Sequence, residues 1–313
     1  MFYQTLIDML NHGVRRFCRI PAALMLALLG GVVCAGPIAP PDISARAAVL
    51  INPASGQLLY AKQPYERLPP ASTTKVLTAL VGLERLSLAD KVLVSPSAAS
   101  TAPSRIGLRA GEMVTAQDLL YGLLLKSGND AAEVIAEAVG GSLAGFAYMM
   151  NARAWQLGAR NSHFANPHGL PDDSHFSTAY DLAVIFRQAM RNPVFAEIVR
   201  TQNASLRVEA QADPEPKARL VPVRNTNRLL VSYNGADGGK TGFTVKAKRC
   251  FVGEATRGSV HLIVAVLGSA GKATLWQDVK GLLDYGFAQY GLVGPHLDEG
   301  RNGEQSGIVD DAD

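Results

Sequence analysis

The sequence is poor in cysteine: three in 313 residues, of which Cys18 and Cys34 lie near the N-terminus. Only Cys250 remains beyond them, which excludes a scaffold stapled by internal disulfides. A lone cysteine of this kind reads as a buried small hydrophobe. Charge of one sign is also lacking. The formal net charge is +3, and Arg15, Arg16 and Arg19 against Asp8 account for +2 of it. The remaining +1 leaves no basic footprint for nucleic acid. There is no internal repeat, so a solenoid is excluded. Charged residues make up only 18% of the chain while 48% is hydrophobic, which allows a sizeable core and excludes global disorder.

The apolar run Ile20 to Val33 is too short for a comfortable membrane span. It follows a basic flank and ends at Val33-Cys34-Ala35, a small-x-small site. Residues 1–35 therefore read as an export signal, cleaved or kept as a membrane anchor. Val33 is a poor residue ahead of Cys34 for lipid attachment. The expected location is the periplasm or the outer face of the cytoplasmic membrane. Residues 36–291 read as one domain. Residues 292–313 carry six acids against Arg301 and read as a disordered tail.

Within the domain, Ala47 to Ile51 and Gln57 to Ala61 read as a strand pair around the turn Asn52–Gly56. Pro69-Pro70 forbids helix before Ala71, and a helix is predicted from Ser72 to about Leu86. Lys91 to Val94 reads as a short strand. Thr115, with Asp118 three residues on, predicts a capped helix ending at Lys126–Asn129. Further helices are predicted over Asp130–Val139, from Ser142 to Gly158, over Thr178–Met190 with Ser177 as cap, and from Pro193. Residues 211–218 read as loop. Strands are predicted at Leu206–Val208, Leu229–Tyr233, Gly239–Val245, Cys250–Ala255 and His261–Leu267, then a helix over Leu275–Tyr290. This order predicts an α+β fold: one antiparallel sheet built from both ends of the chain, flanked by helices, with an all-α lobe inserted. A site is expected between sheet and lobe.

Three short motifs occur in order: Ser72-x-x-Lys75 opening a helix, Ser127-x-Asn129 between helices, and Lys240-Thr241-Gly242 on a strand. A hydroxyl one helical turn from a lysine offers a nucleophile and a base. A second Ser-x-x-Lys, Ser269 to Lys272, lacks this context: it follows a strand and holds Gly271 inside. His163, His168 and His175 lie near Asp172 and Asp173, but their spacings fit no helical two-histidine motif, and no metal or cofactor is expected. Met149, Met150 and Trp155 read as core.

With these motifs the chain resembles the serine-type D-Ala-D-Ala carboxypeptidases, the low-molecular-mass penicillin-binding proteins of a peptidase S11-like family. Ala71–Thr78, Lys126–Ala132, Asp237–Gly242, Asn166–Leu170 and Ser177–Leu182 carry the likeness, which spans Ala47 to Tyr290. The resemblance implies the β-lactamase/transpeptidase-like fold and a covalent acyl-enzyme. It implies Ser72 as nucleophile, Lys75 as its base and Ser127 as proton relay to the leaving amine. Lys75 can serve only uncharged, which burial and Lys240 would favour. Asn129 would orient Lys75 and the substrate amide. Lys240 and Thr241 would hold the terminal carboxylate, Gly242 would let the substrate backbone lie close, and the N–H groups of Ser72 and Phe243 would form the oxyanion hole. The implied partners are peptidoglycan stem peptides and, as covalent inhibitors, β-lactam antibiotics.

Two features depart from the better-known members. Phe243 stands where they carry histidine, and the sequence ends soon after its last predicted helix, with no β-rich stalk or anchoring helix. Both also fit smaller relatives that are peptidoglycan endopeptidases, as does Arg224–Asn227, so cross-link cleavage is the alternative activity. A class A β-lactamase would need a glutamate to deacylate, and none lies between Glu137 and Glu197. A non-catalytic wall-binding or β-lactam-sensing module would share the fold, but all the motif residues of a working enzyme are intact.

Overall fold

Alternation along the strands sets the architecture. In β1 (Ala47–Ile51), Ala47, Val49 and Ile51 point into one apolar cluster, while Ala48 and Leu50 point into another on the opposite face. The same split recurs in β9 (Val260–Ser269), where Ile263, Ala265 and Leu267 face one way and Leu262, Val264 and Val266 the other. Both faces are thus buried, and the central strands read as unbroken hydrophobic runs. The computed structural model, which describes residues 38–210 and 217–293, places these strands in a five-stranded antiparallel sheet. Its order is β2-β1-β9-β8-β7, with β2 at Leu58–Lys62, β7 at Ala236–Thr244 and β8 at Lys248–Arg257. The sheet is built from both ends of the chain, as the element order predicts.

On one face lies α9 (Lys272–Ala288), which buries Leu275, Val279, Leu282, Leu283 and Phe287 against the sheet. Each such side chain contributes roughly 1.5–3 kcal/mol of transfer free energy. On the other face lie the helical segments: α1 (Lys75–Leu83), α2 (Pro96–Ser100), α3 (Ala116–Tyr121), α4 (Asn129–Gly140), α5 (Leu143–Gln156), α6 (Ala179–Ala189) and α7 (Pro193–Arg200). Thr115 and Ser142 cap α3 and α5 as expected, their hydroxyls accepting from Asp118 N and Gly145 N. The cap of α6 is Thr178, not Ser177, whose backbone is engaged instead in a bridge to Leu68.

Other expectations are corrected. A second, four-stranded antiparallel sheet is present, in the order β3-β4-β5-β6. Its strands are Lys91–Leu93, Glu112–Thr115, Asn203–Ala210 and Lys217–Arg224. Lys217 and Ala218 therefore belong to a strand, not a loop; β6 carries Pro222, tolerated because the strand is at the sheet's edge. Leu229–Ser232 is a single helical turn, α8, not a strand. The helix predicted to open at Ser72 begins with a tighter 3₁₀ turn, Ala71–Thr74, and becomes α-helical at Lys75. Residues 1–37, 211–216 and 294–313 lie outside the described residues, and with them the export signal, most of the expected 211–218 loop and nearly all of the acidic tail. Among the described residues no helix is long and apolar enough to cross a membrane.

Candidate active site

The three motifs, far apart in sequence, converge where α1, the turn before α4, and β7 meet. Ser72 sits in the 3₁₀ turn, and Lys75 follows one turn later with its Nζ 2.9 Å from Ser72 Oγ. Lys75 is fully buried. Its Nζ donates to Asn129 Oδ1 at 2.7 Å and to the His168 carbonyl at 2.7 Å. Both partners are acceptors only, and Asn129 Nδ2 is turned away to donate to Ala102 O at 2.8 Å. Those two bonds use both N–H groups of an uncharged amine, which leaves its lone pair directed at Ser72 Oγ. Burial first, and the charge of Lys240 second, push Lys75 well below the ordinary lysine range, with Asp130 acting in the opposite sense.

Lys240 projects from β7 beneath the same site and is almost completely buried. Its Nζ donates to Ser127 Oγ and to Thr241 O, each at 2.9 Å. Burial pulls it down to about 7. Ser127 ends a π-helical turn, Gly122–Lys126, and adopts left-handed backbone at φ 67°, which turns the chain into α4. Asp130, at the start of α4, accepts from the backbone N–H groups of Ile106, Gly107 and Leu108 at 3.1, 2.9 and 3.1 Å. It thereby ties the 106–108 segment to the Ser127 turn.

The backbone at Ser72 is braced from two sides by glycines. Ala71, just before Ser72, has φ 48°, a conformation that costs a non-glycine residue on the order of 1–2 kcal/mol. A Cβ at Gly169 would fall 1.8 Å from Ala71 O, and one at Gly242 would fall 2.9 Å from Ser72 N. Gly242 is thus required by the close approach of β7 to the Ser72 turn within the chain itself, which brings the Ser72 and Phe243 segments side by side. Phe243 is 39% exposed, with the Arg249 guanidinium 3.9 Å from its ring centre.

Sequence reasoning missed a layer under the motifs. His175 Nδ1 accepts from Ala165 N, so its Nε2–H donates to Thr74 Oγ1 at 2.8 Å. Burial holds this imidazole down to about 4. His168 Nε2 lies 3.4 Å from Glu133 Oε1, both side chains buried. Two of the three histidines weighed as metal ligands therefore brace the site, while His163 bonds Ser174 O. The described residues that could jointly hold a metal ion are Asp237, Glu254 and His261, whose ligand atoms lie within 4.8 Å of one another. They already have partners, His261 pairing with Glu254 at 2.8 Å and Asp237 with Arg200 at 3.0 Å. The decoy serine, Ser269, is buried and bonded to Asp278 Oδ2 at 3.1 Å.

Comparison with known proteins gives the same answer. Residues 36–271 match the Peptidase S11 family, D-alanyl-D-alanine carboxypeptidase. The chain is 41% identical over 259 residues to D-alanyl-D-alanine carboxypeptidase DacB2 of Mycobacterium tuberculosis, covering 81% of this chain and 86% of that one. It is 38% identical over 251 residues to the DacF enzyme of Bacillus subtilis, covering 79% of this chain and 63% of that longer protein. The crystal structure of the Streptomyces K15 DD-transpeptidase superposes with a TM-score of 0.76 at 34% identity, over 80% of this chain and 100% of that one. The antiparallel sheet with its helical lobe is the fold of these proteins, and the chain belongs to the S11 peptidase family, the D-alanyl-D-alanine carboxypeptidases.

Proposed function

We propose that Ser72 carries the D-alanyl-D-alanine carboxypeptidase activity of this family, removing the terminal D-Ala from peptidoglycan pentapeptide stems. One observation supports this above all: a fully buried lysine amine, 2.9 Å from Ser72 Oγ, whose other partners are acceptors only. The Ser72 hydroxyl proton passes to the Lys75 lone pair as Oγ attacks the penultimate D-Ala carbonyl. The oxyanion is received by the N–H groups of Ser72 and Phe243, backbone donors that a histidine-to-phenylalanine difference leaves in place. Ser127, bonded to Lys240, passes its proton to the departing D-Ala nitrogen as the C–N bond breaks and is reprotonated with the proton Lys75 took from Ser72, so Lys75 is uncharged again. Water then cleaves the ester, releasing the shortened peptide and returning the proton to Ser72. Lys240 and Thr241 hold the terminal carboxylate.

A β-lactam enters the same route and stays as a long-lived ester, because no glutamate follows Glu137 until Glu197 to activate a deacylating water. The chain acts outside the cytoplasm, carried there by residues 1–35. The relatives named above carry carboxypeptidase or transpeptidase names, and no feature of the site favours cross-link cleavage over them. Incubation with diacetyl-L-Lys-D-Ala-D-Ala releases D-Ala from the wild type and none from Ser72→Ala. Release only of cross-link fragments from sacculi, with no D-Ala from the peptide, would overturn the carboxypeptidase reading.

A further inference from the structure

The turn between β6 and α8 reaches the active site through a residue outside all three motifs. Asn225 anchors it: its Nδ2 donates to Val199 O and Thr201 O at 3.2 and 2.8 Å, and its Oδ1 accepts from Asn227 N at 2.9 Å. Thr226, next in the chain, donates its N–H to Leu125 O at 3.2 Å, two residues before Ser127. Its hydroxyl Oγ1 lies 2.7 Å from Thr241 Oγ1. Thr226 is exposed and Thr241 half-buried, so the hydroxyl pair opens to solvent. Lys240, the residue before Thr241, places a buried amine beside them, bonded to Ser127.

We propose that Thr226 is a second hydroxyl donor to the substrate's C-terminal carboxylate, working as a pair with Thr241 and setting the preference for free-acid peptides. The inference rests on the reading that Thr241 holds that carboxylate. Two hydroxyls bring two protons. In the unliganded site one proton lies between the two oxygens, so the pair satisfies itself. An arriving carboxylate accepts one hydrogen bond from each threonine, and two donors anchored on separate elements match its two oxygens. Lys240 adds charge from below, but a point charge alone does not select a planar two-oxygen acceptor. A neutral C-terminus such as a carboxamide offers one acceptor oxygen in place of two and no charge, so it gains less from the pair.

The test compares kcat/KM for diacetyl-L-Lys-D-Ala-D-Ala with that for the same peptide ending in a carboxamide. In Thr226→Val the acid-over-amide preference falls about tenfold, the loss of one charge-assisted hydrogen bond, while turnover of the amide stays within about twofold. Thr226→Ser keeps the wild-type preference, and Thr226→Ala gives the valine result without the added methyl. An unchanged preference in both Val and Ala variants would overturn the proposal. So would an equal fall on acid and amide, which marks Thr226 as a prop for Thr241 and nothing more. Wild-type protein that hydrolyses neither peptide would fail at the earlier step, the carboxypeptidase reading itself, and would remove this proposal with it.

Discussion

Gly169→Ala would disturb the proposed nucleophile, Ser72, without touching any residue of the three motifs. Gly169 has φ +84°, and a Cβ there would sit 1.8 Å from Ala71 O and 2.9 Å from Thr74 Oγ1. Real Cβ atoms do not approach a heavy atom within 3.0 Å, so one side must retreat by more than 1 Å. If the 168–170 segment moves, the His168 carbonyl leaves Lys75 Nζ, which it holds at 2.7 Å. If Ala71 moves, Ser72 moves with it. The left-handed backbone costs an L-residue about 1–2 kcal/mol and the overpacking about 1–3 kcal/mol. The expected destabilisation is therefore about 2–5 kcal/mol, a fall in melting temperature of roughly 5–15 °C. A misplacement of about 1 Å at a reacting centre costs on the order of 100-fold in rate. Thermal unfolding and stopped-flow acylation by a fluorescent penicillin measure the two effects. A Gly169→Ala protein that melts and acylates like wild type would refute the close packing of this loop on the Ser72 turn.

Two further outcomes follow from the buried amines and imidazole. Lys240→Gln removes the second-largest influence that lowers Lys75, so the pH at which acylation reaches half its maximum moves upward; an unmoved midpoint would show that the two amines do not communicate. His175 is held down to about 4, below the ~6.5 of an unfolded histidine. The unfolded chain therefore takes up the extra proton between those values, and stability present above pH ~6.5 is lost as pH falls towards 4, by up to about 3 kcal/mol. Urea denaturation of wild type and His175→Gln at pH 7 and pH 4.5 isolates that part, which is expected to be absent in the variant.

The convergence of the candidate site was legible in the sequence because its residues come in short, ordered motifs whose local contexts are readable. A proline pair ahead of Ser72, a helix end at Ser127 and a strand at Lys240 are local facts. The five-stranded sheet was legible for a similar reason: its central strands, buried on both faces, are long apolar runs. The second sheet was not. Its strand β6 reads Lys-Ala-Arg-Leu-Val-Pro-Val-Arg, exposed along much of its length, and its pairing with β5 is a tertiary fact. Leu229–Ser232, Leu-Leu-Val-Ser, is apolar enough to imitate a strand, yet Asn227 Oδ1 accepts from Leu229 N and starts a helical turn. The bracing layer was hidden because it joins segments far apart in sequence: the His168 carbonyl reaches Lys75 across 93 residues and the His175 imidazole reaches Thr74 across 101, pairings that no local pattern announces. Gly242 in particular reads as room for substrate, and its missing Cβ also admits the Ser72 turn.

The central claim is that Ser72 becomes reactive because the neighbouring Lys75 amine is uncharged at neutral pH. Peptide mapping by mass spectrometry after brief exposure to benzylpenicillin, repeated from pH 5 to pH 10, tests it most directly. The account predicts one covalent adduct, on the peptide bearing Ser72, formed at neutral pH and lost in both Ser72→Ala and Lys75→Met. An adduct on another residue, or labelling of Ser72 that begins only near pH 10, would contradict it.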